Sequence, residues 1–141
     1  TFKTILRDYF GKPKARARFD SPLEIFRTWQ SLHAALKNDY FLHIGGQDDE
    51  PLESTRFDAL IANRYGIFGV VAHRTVQEFT RYYAFGSGST YAMGALHALY
   101  NDPKLDAEAL ARRAVETAAE FDDATGLPLQ SHRIALKGAR S

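Results

Sequence analysis

No cysteine occurs in the 141 residues. That excludes disulfides, thiolate catalysis and cysteine-ligated metals, and an intracellular setting fits it. Charge of one sign is also missing. Eighteen Lys and Arg stand against seventeen Asp and Glu, a net charge of +1, so no global excess points to nucleic acid or an anionic membrane. No apolar run approaches the roughly 20 residues of a membrane helix. The opening ten residues lack the cleavage site of a signal peptide. The single Gly-rich turn is not followed by Gly-Lys-Ser/Thr, so there is no Walker A loop. Ser87 lies in Phe85-Gly86-Ser87-Gly88-Ser89, which is not the Gly-x-Ser-x-Gly elbow. The five histidines, His33, His43, His73, His97 and His132, are scattered without metal-ligand spacing. Asp48-Asp49-Glu50 lacks the pattern of a calcium loop and reads as a solvated surface stretch.

What remains is an ordinary globular composition, 45% apolar and 25% charged, in a length that suits one domain. Phe2, Ile5, Leu6, Tyr9 and Phe10 make one face of a helix that Gly11 stops. Lys12, Lys14, Arg16 and Arg18 form a basic connector, read either as a solvated loop or as a contact for an acidic partner or nucleic acid. Ser21-Pro22-Leu23-Glu24 is a helix start with a capping box, and Ile25, Trp29, Leu32 and Leu36 carry that helix to about Lys37. Residues 40–44 form a short apolar run, a candidate strand, and residues 47–55 an acidic loop. Strands are predicted over 57–64, 67–73 and 76–85, with short separators that make them antiparallel neighbours. Helices follow at about 89–100 and 106–121, the second capped by Asp106, and a last strand is predicted at 131–136. Runs of strands and runs of helices point to an α+β fold.

Residues 82–99 organise the chain. A strand end runs into Gly86-Ser87-Gly88-Ser89-Thr90, and then into a helix without a polar face. Such a helix is expected to be sandwiched in a core or an interface. Gly86 and Gly88 permit a sharp turn or a close approach, and Ser87, Ser89 and Thr90 can cap the helix or stay free for chemistry. Three readings are open: an anion cradle on free backbone amides, a structural turn, or a hydrolase site in which Ser87 polarises a neighbouring nucleophile. Asp122-Asp123-Ala124-Thr125-Gly126 ends the second helix in side-chain and backbone oxygens. With Ser87 it suggests a polar pocket between two helix–loop junctions.

The run Ala84-Phe85-Gly86-Ser87-Gly88-Ser89-Thr90-Tyr91-Ala92-Met93-Gly94 resembles the strand–turn–helix signature of proteasome β-type subunits and bacterial HslV-type peptidases. Phe121-Asp122-Asp123-Ala124-Thr125-Gly126 resembles their later Asp-x-x-Ser-Gly turn, and the upstream helices and hairpins resemble theirs too. Cysteine-free bacterial relatives, including β-proteobacterial proteasome homologues, look most similar. The resemblance implies a four-layer αββα sandwich of the N-terminal-nucleophile hydrolase type, formed as one domain. It implies peptide-bond cleavage by an N-terminal threonine whose own amine is the base. By position, Ser87, Asp122 and Thr125 are the residues around that amine. The carbonyl-bound cation of the family (Na, K, Mg or Ca) would fall on Ala119, Asp122 and Thr125, and no other cofactor is expected.

The family's opening strands, with the threonine, an Asp, a Lys and an oxyanion-hole Gly, have no counterpart in this sequence. Thr1 matches the family's first helix instead of its nucleophile strand. The expectation is therefore an incomplete N-terminus, and a 141-residue chain inactive by itself. The further expectations are a homo-oligomeric ring or double ring, polypeptide substrates, an ATPase unfoldase partner, a cytoplasmic location, and neither nucleic acid nor membrane as partner. The alternatives are a non-catalytic structural ring subunit and an α+β domain binding phosphate or a small ligand at residues 86–90.

Overall fold

Apolar spacing and capping place the first two helices. The computed structural model describes residues 2–41, 58–71 and 75–138. Helix α1 spans Phe2–Gly11 and helix α2 spans Pro22–Asn38. Ser21 caps α2 by accepting from the Glu24 N–H at 3.3 Å, with Pro22 in the first turn. Only half of the expected capping box forms. The Glu24 carboxylate turns to Arg16, Arg18 and Arg27, because three guanidinium groups outcompete one neutral N–H for a carboxylate.

Strands β1 (Ala59–Asn63), β2 (Gly66–Val71) and β3 (Thr75–Phe79) form one antiparallel sheet in the order β1-β2-β3. The β1–β2 register runs from Ala59 opposite Val70 to Asn63 opposite Gly66. The Asn63 side chain fixes the turn. Its Oδ1 accepts from the Tyr65 N–H and its Nδ2 donates to the Phe19 carbonyl, each at 2.7 Å.

The chain divides into two compact units, Thr1–Glu78 and Phe79–Ser141. In the first, Ile25, Trp29, Leu32 and Leu36 of α2 join Tyr9 of α1 and Phe68 and Val70 of β2 in one buried cluster. Phe68 and Val70 lie two apart, as strand side chains facing one side must. Thr28 is fully buried and satisfied: its Oγ1 accepts from the Arg18 N–H at 3.2 Å and donates to the Arg18 carbonyl at 2.9 Å. The end of the connector is thereby fastened to α2, while Lys12, Pro13, Lys14 and Ala17 stay exposed as a solvated loop would.

In the second unit, helix α3 (Ser89–Leu99) packs on helix α4 (Ala107–Phe121) through Ala92, Leu96, Ala114 and Ala118. Three of the four are alanines, so the two backbones approach closely. Asp106 caps α4 by accepting from the Ala109 N–H at 2.9 Å. Within the second unit α3 is covered by α4 and by Tyr82 and Ala84 of the preceding segment, and part of its surface stays exposed. Ala92 and Leu96 are buried, while Thr90, Tyr91, Gly94, His97 and Ala98 are exposed.

Three expected strands change. The strand predicted over 76–85 ends at Phe79. Phe79 and Tyr83 stack 3.8 Å apart, whereas residues four apart on a strand stand about 13 Å apart, so the chain must bend between them. Residues 131–136 form no strand. Side chains tether them to α4 instead: Ser131 Oγ donates to Glu108 at 2.7 Å and Arg133 to Asp106 at 3.3 Å. Tyr40 and Phe41 are not strand residues, because the Tyr40 N–H donates to the Ala35 carbonyl at 3.2 Å and Phe41 turns to a φ of 53°. Residues 42–44, the acidic loop at 47–55, His43, His73 and Thr1 lie outside the described residues. The fold is α+β, with four helices and a small three-stranded antiparallel sheet. No helix among the described residues is long and apolar enough to cross a membrane.

Candidate functional site

Two turns in the second unit meet side chain to side chain. The first begins at Gly86, whose φ of 108° is glycine territory. The Ser89 N–H closes it onto the Gly86 carbonyl at 3.1 Å. Gly88 then stands at the N-terminus of α3, with no side chain capping the helix. Ser87, a candidate cap by sequence, reaches across instead and donates to Asp122 Oδ2 at 2.7 Å.

The second turn begins at Asp122, where the backbone leaves the helix at φ −119° and ψ 112°. Its N–H still donates to the Ala118 carbonyl at 2.9 Å, and its carbonyl accepts from the Thr125 N–H at 3.0 Å. That turn brings the Thr125 hydroxyl back onto Asp122 Oδ2, to which it donates. Residues 35 and 38 positions downstream of Ser87 are thus joined to it through one carboxylate oxygen.

Gly88 is what lets the turns touch. A β-carbon there would stand 2.7 Å from Thr125 Oγ1, 2.9 Å from Ala118 Cβ and 3.2 Å from Asp122 Oδ2. The sequence marked Gly88 for a close approach without saying to what. The small residue at Ala118, directly beneath it, was the available signal.

The hydrogen bond from Thr125 lowers the Asp122 pKa most and the bond from Ser87 next; burial opposes them by less than either, and the Ala124 N–H adds the smallest lowering. Asp122 is therefore an anion at neutral pH and a poor general base. Both hydroxyls donate inward, so their remaining lone pairs can only accept. The cluster is built to receive N–H donors, an amine or ammonium above all. It is not a serine triad. Within the second unit, His97 lies 3.3 Å from the Tyr82 hydroxyl and His132 is exposed, while Ser87 gives its proton to Asp122, so neither histidine is hydrogen-bonded to Ser87.

Ala119, Asp122 and Thr125 occupy the last turn of α4 and the turn after it. Among the described residues there is no group of three or more His, Asp or Glu suited to a metal. A cation at this turn would rest on backbone carbonyls, ligands that suit hard cations.

A depressed carboxylate pKa has a pH signature. The unfolded chain binds the Asp122 proton more tightly than the folded chain, so this stabilisation is complete above the ordinary value of 3.8 and is lost as pH falls below it. Acid unfolding of Asp122→Asn, followed by circular dichroism, is expected to be less steep than that of the unmodified protein across that range. Parallel curves would show that the two hydroxyls do not hold the charge.

No protein-family model matches the chain, and no curated protein matches it. Two solved structures from Thiobacillus denitrificans are similar to it. One is described as BPH; it is 53% identical, the match covers 99% of this chain and 72% of that one, and the TM-score is 0.87. The other is BPH in complex with epoxomicin; it is 55% identical over 92% of this chain and 67% of that one, with a TM-score of 0.82.

Proposed function

The chain belongs to the same family as Thiobacillus denitrificans BPH, and from that premise we propose that it is part of a proteasome-like peptidase subunit. Epoxomicin, the ligand in one BPH structure, is a proteasome inhibitor. The observation that carries the proposal is the joining of Ser87 and Thr125 through Asp122, since these residues come from the two turns on which the resemblance rests.

In this reading the subunit takes the four-layer αββα form of the N-terminal-nucleophile hydrolases. A threonine hydroxyl attacks the peptide carbonyl, the C–N bond breaks as the leaving amine takes the proton, and water hydrolyses the resulting ester to release the acyl product. The threonine's own amine takes the hydroxyl proton. Ser87 Oγ and Thr125 Oγ1 accept from that amine, and the Asp122 charge stabilises it once protonated. None of the three attacks the substrate. Carbonyls of Ala119, Asp122 and Thr125 would hold a hard cation, which would stiffen the turn that carries Asp122.

The proposal extends to a homo-oligomeric ring or double ring in the cytoplasm that degrades polypeptides fed by an ATPase unfoldase. Its support is an exposed aromatic pair across α3 and α4, where Tyr91 and Phe121 lie 5.5 Å apart while 44% and 63% exposed. Aromatic surface of that kind suits burial against another copy.

The test is hydrolysis of a fluorogenic peptide by the full-length natural protein, with its mass in solution measured alongside. Turnover by a multi-subunit species is expected. A monomer at micromolar concentration would contradict the ring. An assembled protein without turnover would be a structural subunit and would contradict the peptidase.

A further inference from the structure

The basic connector and the start of α2 build a feature that the peptidase reading does not use. Glu24 is only 9% exposed, and three guanidinium groups converge on it. Arg16 bonds Oε2, Arg18 Nε lies 3.4 Å from the same oxygen, and Arg27 Nη1 lies 2.8 Å from Oε1. Arg18 also bonds Asp20 at 2.9 Å. Three arginines thus face two carboxylates, and the cluster keeps a net positive charge.

The donors are in surplus as well. Each guanidinium carries five N–H groups, and those of Arg16, Arg18 and Arg27 make no hydrogen bonds among the described residues beyond the ones to Glu24 and Asp20. Their side chains stay 35%, 60% and 51% exposed, and Lys14 beside them is exposed. A structural ion pair for one buried glutamate needs one arginine. Three, each already held in place, are organised for a second anion, because less side-chain freedom is then lost on binding.

We propose that Arg16, Arg18 and Arg27, gathered on Glu24, form a docking surface for an acidic peptide segment of a partner protein. The partner's side-chain carboxylates bind the unspent guanidinium edges. The planar guanidinium fork matches a carboxylate in bidentate fashion. The chain's net charge of +1 and the small extent of the cluster do not provide the run of phosphate contacts on which nucleic-acid binding depends.

The test uses the full-length protein and a fluorescently labelled octaglutamate peptide, read by anisotropy. Saturable binding that weakens with added salt is expected, and about tenfold weaker binding in Arg27→Gln. Arg27→Lys, which keeps the charge without the fork, is expected between the two. Arg112→Gln, on α4, is expected to bind as the unmodified protein does. Absence of binding at millimolar peptide, equal affinity in Arg27→Gln, or tighter binding of oligothymidylate than of the peptide would each overturn the proposal. Should Arg27→Gln lose its helical signal, photo-crosslinking with the unmodified protein decides: adducts within residues 14–27 support the surface, and adducts elsewhere overturn it.

Discussion

Gly88→Ala is expected to lower the thermal midpoint by roughly 5–10 °C and to part Thr125 from Asp122. The added methyl would lie 2.9 Å from Ala118 Cβ and 2.7 Å from Thr125 Oγ1. Thr125 can rotate away, at the expense of its bond to Asp122. Ala118 cannot, because its β-carbon is fixed to the α4 backbone, so the two helices must separate. Overpacking of this kind costs about 1–3 kcal/mol. Gly94, in the interior of α3, is the control, since a β-carbon there meets nothing within 4 Å. Gly94→Ala is expected to stabilise the protein by about 0.5–1 kcal/mol through helix propensity. Differential scanning calorimetry of the two variants reads both effects. Equal midpoints would mean that α3 and α4 do not meet as closely as described.

Asp122→Ala is expected to lower kcat for peptide hydrolysis by the full-length protein about 10²–10³-fold with little change in KM. Removing the carboxylate takes away the acceptor shared by Ser87 and Thr125, and both hydroxyls are then free to turn from the amine. It also takes away the negative charge opposite the amine as it gains its proton. Substrate is not held by Asp122, so KM is spared. Asp122→Asn keeps one oxygen acceptor without the charge and is expected to lie between. Steady-state kinetics on variants whose circular dichroism is unchanged measures this. An unaltered kcat in Asp122→Ala would remove the cluster from the mechanism.

The helices were legible because local rules governed them. Ser21 and Asp106 cap the helices that they were expected to cap, and the apolar spacing of Ile25, Trp29, Leu32 and Leu36 became the buried face of α2. The strands were less legible, because a strand needs a neighbour that local sequence does not name. Residues 131–136 end in the apolar run Ile134-Ala135-Leu136 that suggests a strand, yet the polar side chains of Ser131 and Arg133 bond α4. Residues 80–85 have strand propensity, yet the stacking of Phe79 on Tyr83 bends the chain.

The candidate site was legible as two separate turns, and the resemblance named Ser87, Asp122 and Thr125. The sequence alone could not show that Ser87 spends its hydroxyl on Asp122 instead of capping α3. Nor could it show that Gly88 is the position whose missing side chain allows the contact. Both depend on the approach of α3 to α4, which small residues permit without specifying. The convergence of three arginines on Glu24 was hidden in the same way, since a capping box was the stronger local expectation there.

The most direct measurement is a crystal structure of the full-length protein with epoxomicin. The expected result is an inhibitor bound at a threonine whose amine contacts Ser87, Asp122 or Thr125. An inhibitor seated away from that cluster, or a cluster facing no threonine, would contradict the account.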